Sequence, residues 1–197
     1  AESKFEKGED ISRRLLFLIS HMGEVQRNGT PDMEFAVTGL LARSQVAAGQ
    51  AEEARRTVEE LKRRFADSGQ TRFRANINAL LCRIALYRGA TEEADEWYRS
   101  SAPRSPLNFN VMKRYRYLTQ AMVELAQNRP DAALLTLAPM ELYCETCRRH
   151  IDSIHLHILQ ALAMYRQRDA GWREKLRQAL DTAAEYSFVR TISAYGA

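Results

Sequence analysis

Proline and glycine are scarce in this chain of 197 residues, with 5 and 9 respectively. Long β-branched runs are missing too. That composition disfavours strands and hairpin turns and favours helices. No apolar run approaches the ~20 residues needed to span a bilayer, so a transmembrane role is not expected. The first ten residues, Ala1 to Asp10, are polar and charged, unlike a signal peptide. Only three cysteines are present, an odd number that fits a reducing cytoplasm better than a disulfide framework. A GxxxxGK[ST] phosphate loop is absent, as are a GxSxG elbow and a Cys-His-Asp constellation. ATP binding by that loop and nucleophilic catalysis are therefore not expected, and no cofactor is implied for this stretch. The chain starts without Met and reads as a piece of a longer protein.

An excess of one charge sign is also missing. The net charge is +4, but 29 basic residues face 25 acidic ones. The signs interleave, as in Glu52-Glu53-Ala54-Arg55-Arg56, which marks a solvated helix face rather than a phosphate-binding stripe. Direct nucleic-acid binding is not expected. Lys occurs only at positions 4, 7, 62, 113 and 175. The remaining cations are Arg, suited to carboxylate and aromatic contacts.

What the chain does have is a beat. Ala42, Cys82, Ala121 and Ala161 recur at steps of 40, 39 and 40. Gly49, Gly89 and Asn128 keep the same step, as do Ala54, Ala94 and Ala133. Three phased series at one period mark an array of helical hairpins. Helical spacing runs nearly throughout, for example Ala51, Ala54, Val58, Leu61 and Phe65. Helices are expected over 10–27, 32–48, 50–67, 71–88, 91–101, 107–127, 130–145, 149–167 and 171–186. Thr30-Pro31-Asp32 reads as a cap, an N1 proline and a first-turn acid. Gly49, Gly89 and Asn128 suit the left-handed residue that ends a helix. Pro139 should kink or end its helix. Arg168 holds the fourth turn position, and Asp169-Ala170-Gly171-Trp172 should reset the phase there.

Within each unit a small residue lies seven positions before the turn and an alanine five after it. Small side chains there let two helices approach closely, which is the logic of a tetratricopeptide repeat. Standard repeats of that type run ~34 residues, so these helices are longer than usual. The expected fold is all-α, a right-handed superhelix of antiparallel hairpins. One domain is expected, with a helical region at 1–34, about four hairpins over 35–186 and a tail at 187–197.

Three stretches carry a family resemblance. They are Leu40 to Ala54, Tyr117 to Leu134, and the end of the chain. In the last, Leu159-Gln160-Ala161-Leu162-Ala163 and Ala179-Leu180 precede Tyr186-Ser187-Phe188-Val189-Arg190. They resemble the helical-repeat domain of MalT-type, LuxR-family bacterial transcription regulators. The resemblance implies a cytoplasmic sensor domain between a STAND-type ATPase and a helix-turn-helix domain. Such a domain takes a small-molecule effector, a sugar among the candidates, or a regulatory protein or peptide, and relieves autoinhibition. A free-standing tetratricopeptide-like scaffold for peptides or proteins is the alternative.

The open face of the first helices is the expected ligand surface. By phase its outward positions include Arg43, Asn76, Arg83, Tyr87, Tyr115 and His155, residue types that suit a sugar, a carboxylate or a peptide backbone. Cys144-Glu145-Thr146-Cys147, with His150, His155 and His157 nearby, invites zinc or a redox pair. A second CxxC is missing and the motif falls at a helix end. Cys144 and Cys147 are accordingly expected to pack rather than bind metal.

Overall fold

The computed structural model describes residues 2–195, with side chains from Lys4 onward. It is all-α: helix makes up 82% and no strand occurs among the described residues. The described residues form eleven α-helices: α1 (Glu2–Glu6), α2 (Ile11–Asn28), α3 (Pro31–Ala47), α4 (Ala51–Asp67), α5 (Arg74–Tyr87), α6 (Thr91–Ser101), α7 (Arg114–Ala126), α8 (Pro130–Cys147), α9 (His150–Arg166), α10 (Trp172–Tyr186) and α11 (Val189–Ser193). The chain falls into two compact units, Ala1–Ala94 and Asp95–Ala197.

In the first unit, α2 packs on α3, α3 on α4 and α4 on α5. First helices α3 and α5 also touch. In the second unit, α7, α8, α9 and α10 pack in the same serial way, and α7 meets α9 directly. Turns of two or three residues between several of these helices force antiparallel neighbours.

The beat in the sequence is a beat in packing. Ala42, Cys82, Ala121 and Ala161 are all buried, as are Ala54, Ala94 and Ala133. Gly49, Gly89 and Asn128 take φ of +77°, +72° and +57°. Arg168 does the same at +61°, although it is neither glycine nor asparagine. One capping bond recurs at all four places. The amide just after the left-handed residue reaches back to the carbonyl of Gln45, Ala85, Glu124 or Met164, at 2.8, 2.9, 2.8 and 2.9 Å. This closure satisfies an orphan carbonyl and fixes where the next helix departs. After Arg168 the next helix starts at Trp172, four residues on rather than two, so the phase does reset there.

The same closure ends α4, α8 and α10, after Gly69, Arg148 and Ser187, and it also appears upstream of α2. Gly8 has φ +80°, and the Glu9 amide bonds the Lys4 carbonyl at 3.3 Å. Helix α2 then begins at Ile11, forty positions before Ala51. So α1 and α2 hold the register of a hairpin, with α1 matching the end of a first helix. Phe5 of α1 packs with Leu15, Leu18, Leu40 and Leu41.

Some local expectations differ from the fold. Pro139 does not end α8, which runs on to Cys147. The proline removes the amide that would bond the Leu135 carbonyl. Leu135 is on the exposed side of the helix, where water can take up that carbonyl. The helices expected from 71 and 107 begin instead at Arg74 and Arg114, behind 3₁₀ turns at Thr71–Phe73, Pro106–Asn108 and Val111–Lys113. The tail carries α11, whose five residues are too few to show a period. The Thr30 cap is as expected, accepting from the Met33 amide at 3.3 Å.

Candidate functional site

In the first unit, Arg43 sits on α3 one position past the buried Ala42. Its side chain is half-buried and paired with the carboxylate of Glu6, which has no exposure at all. The guanidinium also lies over the Phe5 ring, 4.9 Å from its centre. Arg43 therefore holds α1 against α3. A contact made by a five-residue helix had no signal in the periodicity.

Asn76, Arg83 and Tyr87 are spaced seven and four apart on α5, which puts them on one stripe of that helix. Asn76 and Arg83 are half-buried, and Tyr87 is exposed. At the end of the helix, Arg88 bridges Glu52 at 2.5 Å and Glu93 at 3.2 Å. This bridge fixes the exit of α5 against α4 and the start of α6.

The unit also has an open cleft of about 500 Å³ lined by Gly29, Glu34, Arg64, Phe65, Asp67 and Gln70. The Glu34 carboxylate approaches the Arg64 guanidinium at 3.0 Å on its wall. This cleft forms where two inter-helix turns meet, and such a meeting leaves no pattern in one sequence.

In the second unit, Tyr115 and His155 hold equivalent positions on α7 and α9, and both are half-buried. His155 Nδ1 lies 2.8 Å from the hydroxyl of Tyr195, and the rings meet edge to face. Phe188, Ile192 and Tyr195 pack on Ile154, Ile158, Ala179 and Ala183, so the segment around α11 folds back over α9 and α10. His150 stacks on Tyr186 with centroids 4.2 Å apart, and its Nε2 lies 3.0 Å from the Tyr186 hydroxyl.

Two buried carboxylates organise the rest. Asp152, in the first turn of α9, is approached by Arg114 Nε and Arg149 Nε at 3.2 Å each. It also accepts from the Tyr143 hydroxyl at 3.3 Å. Burial raises the Tyr143 phenol, and the Asp152 charge adds to it. Glu124 of α7 accepts from Gln120 Nε2 at 2.8 Å and Tyr98 OH at 3.0 Å. Gln120 also donates to Thr136 of α8 at 3.0 Å. Tyr98 is pushed up by burial first and by Glu124 second. These networks tie α6 to α7, α7 to α8, and the start of α7 to α9.

The cysteine motif splits between core and solvent. Cys144 is buried in the α8–α9 core, where burial pushes its thiol up to about 11, while Cys147 is exposed. A neutral buried thiol packs as a small apolar group. His150 and His155 are taken up by tyrosines, and His157 is pushed down by burial. Among the described residues, no group of three or more His, Cys, Asp or Glu is placed to hold a metal ion. No described helix is long and apolar enough to cross a membrane.

No curated protein and no solved structure matches the chain. A family model described as the MalT-like TPR region matches residues 21–197. That span takes in every hairpin from α3 onward together with α11, and on it the chain belongs to the MalT-like TPR family, a helical-repeat region.

Proposed function

We propose that this chain is the sensing and interaction region of an ATP-dependent, LuxR-family transcription regulator acting in the cytoplasm. Its repeat stack takes a small-molecule effector, with sugars among the candidates, or a regulatory peptide or protein. Binding shifts the population of states available to a flanking ATPase and a helix-turn-helix domain, and so relieves autoinhibition.

One observation supports this reading above the others. The phased first-helix positions differ in their surroundings and exposure. Arg43 is taken up by α1, and His155 by Tyr195. The α5 stripe of Asn76, Arg83 and Tyr87 runs from half-buried to exposed. A stripe that mixes an amide, a guanidinium and a phenol offers hydroxyl, carboxylate or peptide-backbone recognition. The Tyr195–His155 contact adds a route for coupling, since it joins the segment around α11 to the first-helix face.

A thermal-shift screen of the chain against sugars and short peptides tests the proposal. A dose-dependent rise in melting temperature supports it, because a ligand that binds only the folded state stabilises by mass action. A screen in which neither class shifts the melting temperature removes it.

A further inference from the structure

The connection between α6 and α7 breaks the pattern of the array. Helix α6 has 11 residues where α4 has 17 and α8 has 18. The 39-residue step is kept nonetheless, because residues 102–113 replace the missing helix with a long connection. The α8-to-α9 connection, by contrast, is only Arg148 and Arg149.

This loop is firmly anchored. Pro103 is buried. The Tyr117 hydroxyl donates to the Ser105 carbonyl at 2.6 Å. Phe109 meets Tyr117 edge-on at 5.2 Å and Tyr143 at 5.6 Å. The 3₁₀ turn at Pro106–Asn108 packs on α8. Yet the same loop holds Leu107 94% exposed, Met112 72% exposed and Val111 46% exposed. Single exposed apolar residues are ordinary, but three within six residues on an anchored loop mark an interaction surface.

Charge says what kind. Between Glu96 and Glu124 the sequence has no acid at all, against Arg99, Arg104, Lys113, Arg114 and Arg116. Ser68 to Thr91 also lacks acids, but there Arg72 pairs with Asp32 and Arg88 with Glu52 and Glu93. Arg99 pairs with Glu96 and Arg114 with Asp152. Among the described residues, Arg104 and Lys113 bond the backbone carbonyls of Arg99 and Asn108. Among the described residues no carboxylate pairs with Arg104, Lys113 or Arg116.

We propose that residues 102–113 form a docking element for an acidic segment of a partner protein, one with an apolar side chain set among carboxylates. Leu107 and Met112 supply the apolar anchor, and Arg104 and Lys113 supply the flanking charge. An apolar centre with a charged rim is the usual anatomy of a protein interface. A phosphate-binding surface has no use for a fully exposed leucine. The proposal stands apart from whatever the α5 stripe binds.

Selection of a random displayed peptide library on the whole chain tests it. The selected peptides should be enriched in Asp and Glu around Leu, Phe or Met. Their affinity should fall about tenfold or more for Leu107→Ser. Arg104→Glu with Lys113→Glu should weaken them similarly. Thermal melts should change little, because Arg104 and Leu107 are exposed and Lys113 is only half-buried. Heparin and phosphatidylserine vesicles serve as the other arms. The proposal is overturned if no peptide is selected, if the peptides show no acidic enrichment, or if Leu107→Ser binds them equally well. It is likewise overturned if only heparin or vesicles respond to the variants. None of these outcomes touches effector binding at α5.

Discussion

Replacing Ala121 by leucine tests whether the phased small residues set the helix spacing. Ala121 has no exposed surface and lies in the α7–α8 core with Tyr117, Leu125, Ala133 and Leu137. The isopropyl group added by Ala121→Leu has no room unless α7 and α8 move apart or side chains leave their rotamers. Overpacking of this kind costs about 1–3 kcal/mol. At a urea m-value of about 2 kcal/mol/M, a loss of 2 kcal/mol lowers the midpoint by about 1 M. Both tryptophans, Trp97 and Trp172, lie in the unit that contains Ala121. Tryptophan fluorescence therefore reports the unfolding of that unit. Ala126→Leu is the control, since Ala126 is the exposed last residue of the same helix and a surface change there stays within about 0.5 kcal/mol. Equal midpoints for Ala121→Leu and Ala126→Leu would refute the packing argument.

Three further outcomes are expected. A thiol reagent should label Cys147 quickly and Cys82 and Cys144 only on unfolding, since both of the latter are buried; two fast thiols in the native chain would contradict the placement of Cys144. His157 is held below its ordinary value by burial and by Lys175, with Glu141 opposing. The unfolded chain then binds the extra proton first, so stability is full above about pH 6.5 and declines as the pH falls through that value. His157→Gln should flatten this slope in urea titrations between about pH 7 and pH 5, and an unchanged slope would assign it to other groups. Tyr195→Phe removes the hydroxyl facing His155. At about 1 kcal/mol net for a hydrogen bond, opening of the α11 segment should rise about fivefold. Hydrogen exchange over Val189–Ser193 measures this, and unaltered rates would mean that the contact holds nothing down.

The fold was legible where a physical constraint repeats. Close approach of two helices demands a small residue at the crossing, and the three-residue turn that follows α3, α5 and α7 takes a left-handed one. Both demands return every 39 or 40 residues. Arg168 shows the limit of reading residue types alone. Its φ of +61° is set by the capping bond from Asp169 to Met164, and an arginine accepts that strain, about 1 kcal/mol. Pro139 shows another limit, because a proline is tolerated where the orphaned carbonyl has solvent. The starts of α5 and α7 were masked by 3₁₀ turns whose apolar residues, Phe73 and Val111, extend the helical stripe without extending the α-helix.

The binding face was harder to read. Phase named outward positions, and α5 keeps three of them on one stripe. Phase could not foresee that α1 would occupy Arg43 or that Tyr195 would reach His155, which lies forty residues away in sequence. Those contacts come from segments outside the periodic pattern. Of the loop at 102–113, residues 107–113 escaped for the opposite reason, since their apolar side chains kept enough helical spacing to be taken for the start of α7.

Calorimetric titration of the effector found by screening, into the native chain and into Arg83→Ala, tests the central claim most directly. The claim is that the phased small residues hold the hairpins together and that the α5 stripe does the binding. Loss of a charge-assisted hydrogen bond, roughly 1.5–3 kcal/mol, weakens affinity about tenfold or more. Arg83→Ala should show that loss with a melting temperature close to that of the native chain. Equal affinity in the two proteins would contradict the claim.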